Sequence, residues 1–339
     1  MIITQTPFRM SFFGGGTDIE SFFKKHGGAV LSTSFDKYCY VNVRHLPRFF
    51  DYSTELSYSR TERVTDVNDI EHPAIRNAMQ MLDMHEIRLT YEADLPARSG
   101  LGTSSSFAVG MLNAFYALKG KYADKKKLAD EAIYLERVLC EETGGWQDQI
   151  AASFGGFNRI NFNTDGTYDV FPIIISPERK KQLNNNLMMF FTGFTRYSSD
   201  IQKANAGTEE TREAKENRYL EMLALVDRAE NILIDINADL DDFGRLLDYT
   251  WQLKKQTGSA VSTNNIDELY DKGMKAGALG GKLLGAGGGG FLVFYVQPEY
   301  QDAVKEAMKN LMHIPFKFED GGTRVIHYTP ETYVPLEEK

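Results

Sequence analysis

The sequence has 339 residues, about two domains at roughly 150 residues each. Its hydrophobic fraction of 42% and charged fraction of 25% are those of a folded globular protein and exclude an intrinsically disordered chain. The 38 Lys and Arg against 47 Asp and Glu leave a net charge of −9, which argues against broad binding to nucleic acid or anionic membrane but not against a phosphate held at a local positive site.

Ile2 to Phe13 reads as a strand that runs into Gly14-Gly15-Gly16. Residues 29–46, rich in Val, Tyr and Thr, form a second strand region. A short helix follows Pro73 and continues to Leu82. Residues 87–95 alternate Ile87, Leu89, Tyr91, Ala93 and Leu95, the pattern of a half-buried strand. After Pro96 to Ser106 comes a helix with Phe107, Met111, Leu112, Phe115 and Leu118 on one face. A second helix is expected from about Asp124 to Glu142, a third near Gln147, and strands from Phe157 to Ile175. The polar stretch Lys180 to Asn186 marks a boundary, giving domains 1–186 and 187–339. Beyond it the pattern predicts a strand at 187–194, a long charged helix at 209–237 and helices at 241–256 and 265–276. Strands at 282–286 and 291–296, a helix at 301–312 and strands near Phe316 and Val325 complete the chain. Strands and helices mix without strict alternation, so the fold class is α+β.

The longest clean apolar run, Phe291 to Val296, is six residues, whereas a membrane span needs about 20. Residues 1–9 lack a basic start followed by an apolar stretch, and two cysteines, Cys39 and Cys140, cannot build a disulfide framework. The expectation is a cytoplasmic protein without membrane or nucleic-acid partners.

The glycines are more informative by placement than by number. Nine of the 29 fall between Gly273 and Gly290, and others cluster beside Ser, Thr or Asp. In Pro96-Ala97-Arg98-Ser99-Gly100-Leu101-Gly102-Thr103-Ser104-Ser105-Ser106, a strand enters and a helix leaves. Free N–H groups and the positive end of the helix dipole then converge on one spot, with hydroxyls from Thr103, Ser104 and Ser105. This suits a phosphate cradle without a Walker lysine, and it also suits a plain N-cap with a glycine turn. At ~100° per residue, Glu136 falls inside the apolar arc of Leu128, Ala129, Ala132, Ile133, Leu135 and Leu139. A carboxylate there needs a cation, either Mg²⁺ beside a nucleotide or an Arg. Asp148 follows Gly144-Gly145 at a helix start, which favours an ionised carboxylate with or without a chemical role. The run Gly287 to Gly290 is entropically costly to order, and a hairpin needs only one or two glycines. Arg9, Arg196 and Lys282 are the cations expected near phosphates.

Taken together, these segments resemble the galactokinase, homoserine kinase, mevalonate kinase and phosphomevalonate kinase superfamily over nearly the whole chain. The resemblance rests on Pro7-Phe8-Arg9 with Gly14-Gly15-Gly16-Thr17-Asp18, on Pro96 to Ser106, on Gly145-Trp146-Gln147-Asp148-Gln149, and on Lys282 to Gly290. It implies a two-domain fold, with a ribosomal-S5-domain-2-like N-terminal half, a ferredoxin-like C-terminal half and the active site in the cleft between them. It implies Mg²⁺ held by Ser104 and Glu136, and a phosphate donor, ATP or GTP, cradled by Gly100, Gly102, Thr103, Ser104 and Ser105. Asp148 would be the base or orienter of the attacking hydroxyl, and Arg9 would stabilise charge beside it. Gly15, Gly16, Thr17, Asp18, Arg196, Gly287 and Gly288 would bind the acceptor, a small-molecule sugar phosphate, and a homodimer is compatible.

Galactokinases carry Glu-His where this chain has Gly15-Gly16, which speaks against galactose and leaves room for a larger sugar. Within the superfamily, Pro7 to Asp18, Thr192 to Arg196 and Gln147 to Gln149 resemble the D-glycero-D-manno-heptose 7-phosphate kinases, which phosphorylate the anomeric hydroxyl. L-fucokinases are the main rival. A remote phosphate on the sugar would be held by Arg196 or by a nest of N–H groups at Gly14 to Thr17. A non-catalytic sugar or nucleotide sensor on the same fold is the non-enzyme alternative. Asp148, Glu136 and Ser104, all present, favour the enzyme.

Overall fold

The computed structural model describes residues 1–97, 99–193, 209–258, 261–285 and 287–330. The first half runs β1 (Ile2–Phe13), α1 (Glu20–His26), β2 (Gly28–His45), β3 (Thr54–Ser57), β4 (Thr61–Val64), α2 (Pro73–Met81) and β5 (Ile87–Ala93). It continues with α3 (Thr103–Leu118), α4 (Lys125–Tyr134), α5 (Gln147–Phe154), β6 (Phe157–Phe162), β7 (Tyr168–Pro172) and α6 (Pro177–Asn185). The second half runs β8 (Leu187–Phe191), α7 (Glu209–Ile234), α8 (Asp241–Lys255), α9 (Asn264–Lys275), β9 (Ala278–Leu283) and β10 (Phe291–Val296). It ends with α10 (Gln301–Ala307), β11 (Met312–Ile314), β12 (Phe318–Glu319) and β13 (Arg324–Tyr328).

Among the described residues the larger sheet has nine strands, with β2 at its centre. β2 is long enough to pair β1 along its length, β6 through Gly28 to Thr33 and β5 through Cys39 to His45. The smaller sheet has the order β11-β8-β10-β9 and is antiparallel throughout. Numbered within itself that order is 4-1-3-2, the ferredoxin-like arrangement. β12 and β13 leave the second half and pair with β2 and β1. A cut at residue 186 therefore parts these two strands from the sheet they complete.

One core lies between the halves, where Phe12, Phe13 and Leu31 of the large sheet pack with Leu225 and Val226 of α7, Leu247 of α8 and Val293 of β10. A second core lies under α2, α3 and α4, with Val41, Val43 and Leu89 facing Met111, Leu112 and Phe115. These two cores fix the ends of β1, α3 and α8 that surround the site.

The polar stretch expected to be a boundary is the helix α6. Pro177 occupies its first turn and the Ser176 hydroxyl accepts from the Arg179 N–H at 3.2 Å, a sound helix start in an otherwise polar segment. The helix expected to run from Asp124 to Glu142 ends as an α-helix at Tyr134 and continues as one π-helical turn, Leu135–Leu139. Such a turn often marks a functional position, and this one carries Glu136. Among the described residues, no helix is long and apolar enough to cross a membrane.

Candidate active site

Strand β1 delivers Arg9, and α5 begins one residue before Asp148. Their side chains meet in a fork: Arg9 Nε donates to Asp148 Oδ1 at 2.8 Å and Nη2 to Oδ2 at 3.1 Å. Arg9 is 4% exposed and also ties down the glycine loop, with Nη1 donating to the Gly100 carbonyl at 2.5 Å and its backbone N–H to the Leu101 carbonyl at 3.1 Å. Bidentate charge-assisted pairs of this kind fix orientation as well as proximity. Arg9 therefore holds Asp148 against the loop.

α3 starts at Thr103 on a left-handed Gly102, so its first turn and the positive end of its dipole face the loop. A Cβ on Gly102 would stand 3.4 Å from the Asp148 carboxylate, which puts the cradle beside the carboxylate. Ser104 is exposed at the rim, while Thr103 and Ser105 are buried. Glu136 is 1% exposed. Its Oε1 accepts from Ser104 Oγ at 2.9 Å, and its Oε2 accepts from Ser105 Oγ at 2.7 Å and from the Gln149 amide. Arg137 lies 3.8 Å from Oε2, so the Arg partner that burial calls for is also present. Among the described residues there is no cluster of three His, Cys, Asp or Glu side chains for a metal. The donor set at Glu136 is one carboxylate oxygen beside one exposed hydroxyl. It fits Mg²⁺, which binds through one or two protein oxygens and completes its shell with phosphates and water.

Asp18 is 3% exposed and is held by backbone, with Oδ1 accepting from the Gly16 N–H at 2.8 Å and Oδ2 from the Gln147 N–H at 3.3 Å. Burial raises its carboxyl above the ordinary value; the Gly16 N–H opposes the rise and the Asp148 charge adds to it. The Thr17 N–H is bonded to the Gly14 carbonyl at 3.0 Å. The nest expected to receive a substrate phosphate thus has two of its N–H groups engaged, one of them on Asp18's own carboxylate.

The room expected over both glycines exists at one of them. A Cβ on Gly15 would meet nothing closer than 3.8 Å, where Ser11 Oγ and the Gln147 amide stand. Over Gly16 the space is taken by Tyr219 of α7, 2.8 Å from such a Cβ. Ser11 Oγ and Gln147 Oε1 are buried and have no partner among the described residues.

The second glycine loop packs backbone against backbone. Gly285 abuts Gly100, Gly290 abuts the Ser99 carbonyl, and Gly287 abuts Val261. The Gly288 N–H donates to the Val261 carbonyl at 3.1 Å, so that group is engaged within the protein. Lys282 is 2% exposed and donates to the Phe12 carbonyl at 2.8 Å. Arg196 lies outside the described residues. Lys254, near the end of α8, was not singled out by the sequence. It is partly buried and donates to the Gly285 carbonyl. Burial brings its ammonium down to about 8; the Arg9 charge adds to the fall, and Asp18 and Asp148 oppose it.

Comparison with known proteins covers both halves. Residues 70–156 match the GHMP kinases N terminal domain and residues 229–314 the GHMP kinases C terminal domain. The chain is 30% identical over 310 residues to the D-glycero-alpha-D-manno-heptose 7-phosphate kinase of Campylobacter jejuni, across 88% of this chain and 90% of that protein. It is 29% identical over 235 residues to the L-fucokinase/L-fucose-1-P guanylyltransferase of Bacteroides fragilis, across 65% of this chain and 23% of that protein. A crystal structure of a D-glycero-D-manno-heptose 1-phosphate kinase from Bacteroides thetaiotaomicron shares the fold, with a TM-score of 0.75, 23% identity and coverage of 96% and 99%. The matched regions hold Ser104, Glu136 and Asp148 on one side of the site and Lys254 with the second glycine loop on the other. This chain belongs to the GHMP kinase family and is a phosphotransferase.

Proposed function

We propose that the protein transfers the γ-phosphate of ATP, with GTP as the alternative donor, to the anomeric hydroxyl of D-glycero-D-manno-heptose 7-phosphate, giving the 1,7-bisphosphate. The observation that carries the reading is the Arg9–Asp148 fork, pinned to the phosphate loop through Gly100. It sets a carboxylate at the helix start where an acceptor hydroxyl meets a nucleotide held by α3. Phosphoryl transfer depends on alignment and charge neutralisation more than on covalent help.

Asp148 orients the acceptor hydroxyl and takes its proton. Arg9 positions Asp148 and keeps the loop in register with it. Gly100, Gly102 and the first turn of α3 bind the donor phosphates. Ser104 and Glu136 would hold Mg²⁺, which supplies charge neutralisation between the phosphates. The unpartnered Ser11 Oγ and Gln147 Oε1 around Gly15 suit the hydroxyls of a sugar. The Campylobacter jejuni relative, matched over most of both chains, favours the heptose phosphate among sugars. The Bacteroides fragilis relative supports L-fucose as the second reading.

The test is a coupled assay of nucleoside diphosphate release, with ATP and with GTP, over heptose 7-phosphate, free heptose, L-fucose, D-galactose and mevalonate. Heptose 7-phosphate should give the highest kcat/KM. The unphosphorylated heptose should lose kcat as well as affinity, because remote binding energy positions the reacting hydroxyl. Preference for L-fucose would refute the heptose assignment and leave a sugar 1-kinase.

A further inference from the structure

Of the cations the sequence suggests and the structure describes, both are engaged within the protein. Arg9 has three N–H groups engaged, two on Asp148 and one on Gly100. Lys282 is enclosed and bonded to the Phe12 carbonyl. Lys254 differs from both. Its ammonium donates to the carbonyl of Gly285, and Gly285 backs onto Gly100 of the phosphate loop. Among the described residues that is one acceptor for three N–H donors. The charged groups that act on it electrostatically come from four elements: Arg9 on β1, Asp18 on the loop after β1, Asp148 on α5 and Lys282 on β9. Its ammonium is therefore anchored where the second glycine loop backs onto the phosphate loop, with that single acceptor and within electrostatic range of Asp148.

We propose that Lys254 is a further catalytic residue, whose ammonium contacts the non-bridging oxygens of the γ-phosphoryl group during transfer. In that step a lone pair of the acceptor oxygen forms the new O–P bond. The bond from the γ-phosphorus to the bridging oxygen breaks, and its electron pair stays on the departing nucleoside diphosphate. The hydroxyl proton passes to the Asp148 carboxylate. Lys254 makes and breaks no covalent bond; it supplies the positive charge that the loosely bonded phosphoryl group needs and that Arg9 directs elsewhere. The inference rests on the placement of the transfer at Asp148 given above. It does not depend on which sugar accepts.

The test uses the full chain with Lys254→Met and Lys254→Arg, each checked by thermal melting. Steady-state constants are measured on heptose 7-phosphate and free heptose, or on L-fucose if the wild-type protein prefers it. Lys254→Met should lower kcat by ~10²–10³-fold, the scale of removing one preorganised electrostatic donor. The same factor should hold with phosphorylated and unphosphorylated acceptors, with nucleotide affinity kept. Lys254→Arg should recover at least part of the loss. Wild-type kcat/KM, which reports the free enzyme, should fall as pH rises through about 8, and that limb should vanish in Lys254→Arg, whose charge persists. Near-normal kcat in folded Lys254→Met would overturn the proposal. So would a loss confined to KM for the phosphorylated acceptor, which would assign Lys254 to the remote phosphate, and so would an alkaline limb that persists in Lys254→Arg.

Discussion

Gly100 and Gly285 meet backbone to backbone: a Cβ on Gly285 would lie 2.4 Å from the Gly100 Cα, and one on Gly100 would lie 2.3 Å from the Leu284 carbonyl oxygen. Both residues have left-handed φ, +82° and +83°. Neither loop can yield without moving the other, so the proposed nucleotide cradle of one half is registered on the second half by this contact. Gly285→Ala should therefore cost about 1–3 kcal/mol through clash and backbone strain. It should also raise the KM for nucleotide, although residue 285 lies outside the cradle. Thermal melting with and without nucleotide checks both effects, and an unchanged melting curve would contradict the contact.

Asp148→Asn should lower turnover by at least ~10²-fold, the lower scale for losing a positioned base, while nucleotide binding survives. Arg9→Ala should lower kcat because Asp148 loses its orientation. Since the two side chains act as one unit, the double variant should be little worse than the weaker single variant. Full additivity in the kinetic cycle would separate their roles.

Glu136→Gln and Ser104→Ala should each shift the Mg²⁺ midpoint upward at fixed nucleotide. Ser105→Ala should act in the same direction but more weakly, because Ser105 bonds the carboxylate oxygen turned away from Ser104. A midpoint unmoved in both Glu136→Gln and Ser104→Ala would remove the metal from this site.

Lys282→Met should change how stability depends on pH. Burial, reinforced by the charges of Lys254 and Arg9, holds the Lys282 ammonium well below its ordinary value of 10.5. Between the folded and ordinary values the unfolded chain binds more protons than the folded chain, so this group makes wild-type stability rise with pH. The variant lacks that contribution. The melting temperature of Lys282→Met minus that of wild type should be more positive at pH 7 than at pH 10, and the opposite trend would rule out a destabilised ammonium.

Much of the frame is legible because burial and period coincide. β1 and α3 pack large apolar side chains where the pattern puts them, and Glu136 stands out as a carboxylate on an apolar face. The hairpin β3–β4 escapes, since Thr54–Ser57 and Thr61–Val64 are four residues each and carry Glu55, Glu62 and Arg63, with Glu62 buried against the usual pattern. So does α1, seven residues with only Phe22 and Phe23 buried. In the site, the grouping of Arg9, Asp148 and Gly100 is a tertiary fact that no local pattern contains. Lys254 is hidden for another reason. Lys254 and Lys255 end a helix, where the dipole favours any cation, and Lys255 does the ordinary thing by pairing with Asp267 at 3.3 Å. Only the fold separates the two. Tyr219, which fills the space over Gly16, comes from a helix some 200 residues away in sequence.

The pairing of β13 with β1 also bears on how the molecule is made. On the ribosome β1 emerges before β13, and its outer edge at Ile2–Gln5 finds Arg324–Tyr328 only after more than three hundred further residues have been added. At roughly 5–20 residues per second that is a wait on the order of 15–65 s. Throughout it one side of β1 offers unpaired amide and carbonyl groups to any passing strand. Synthesis, unlike refolding of the finished chain, is therefore a stage at which this edge of β1 stands open to mispairing until its own partner arrives.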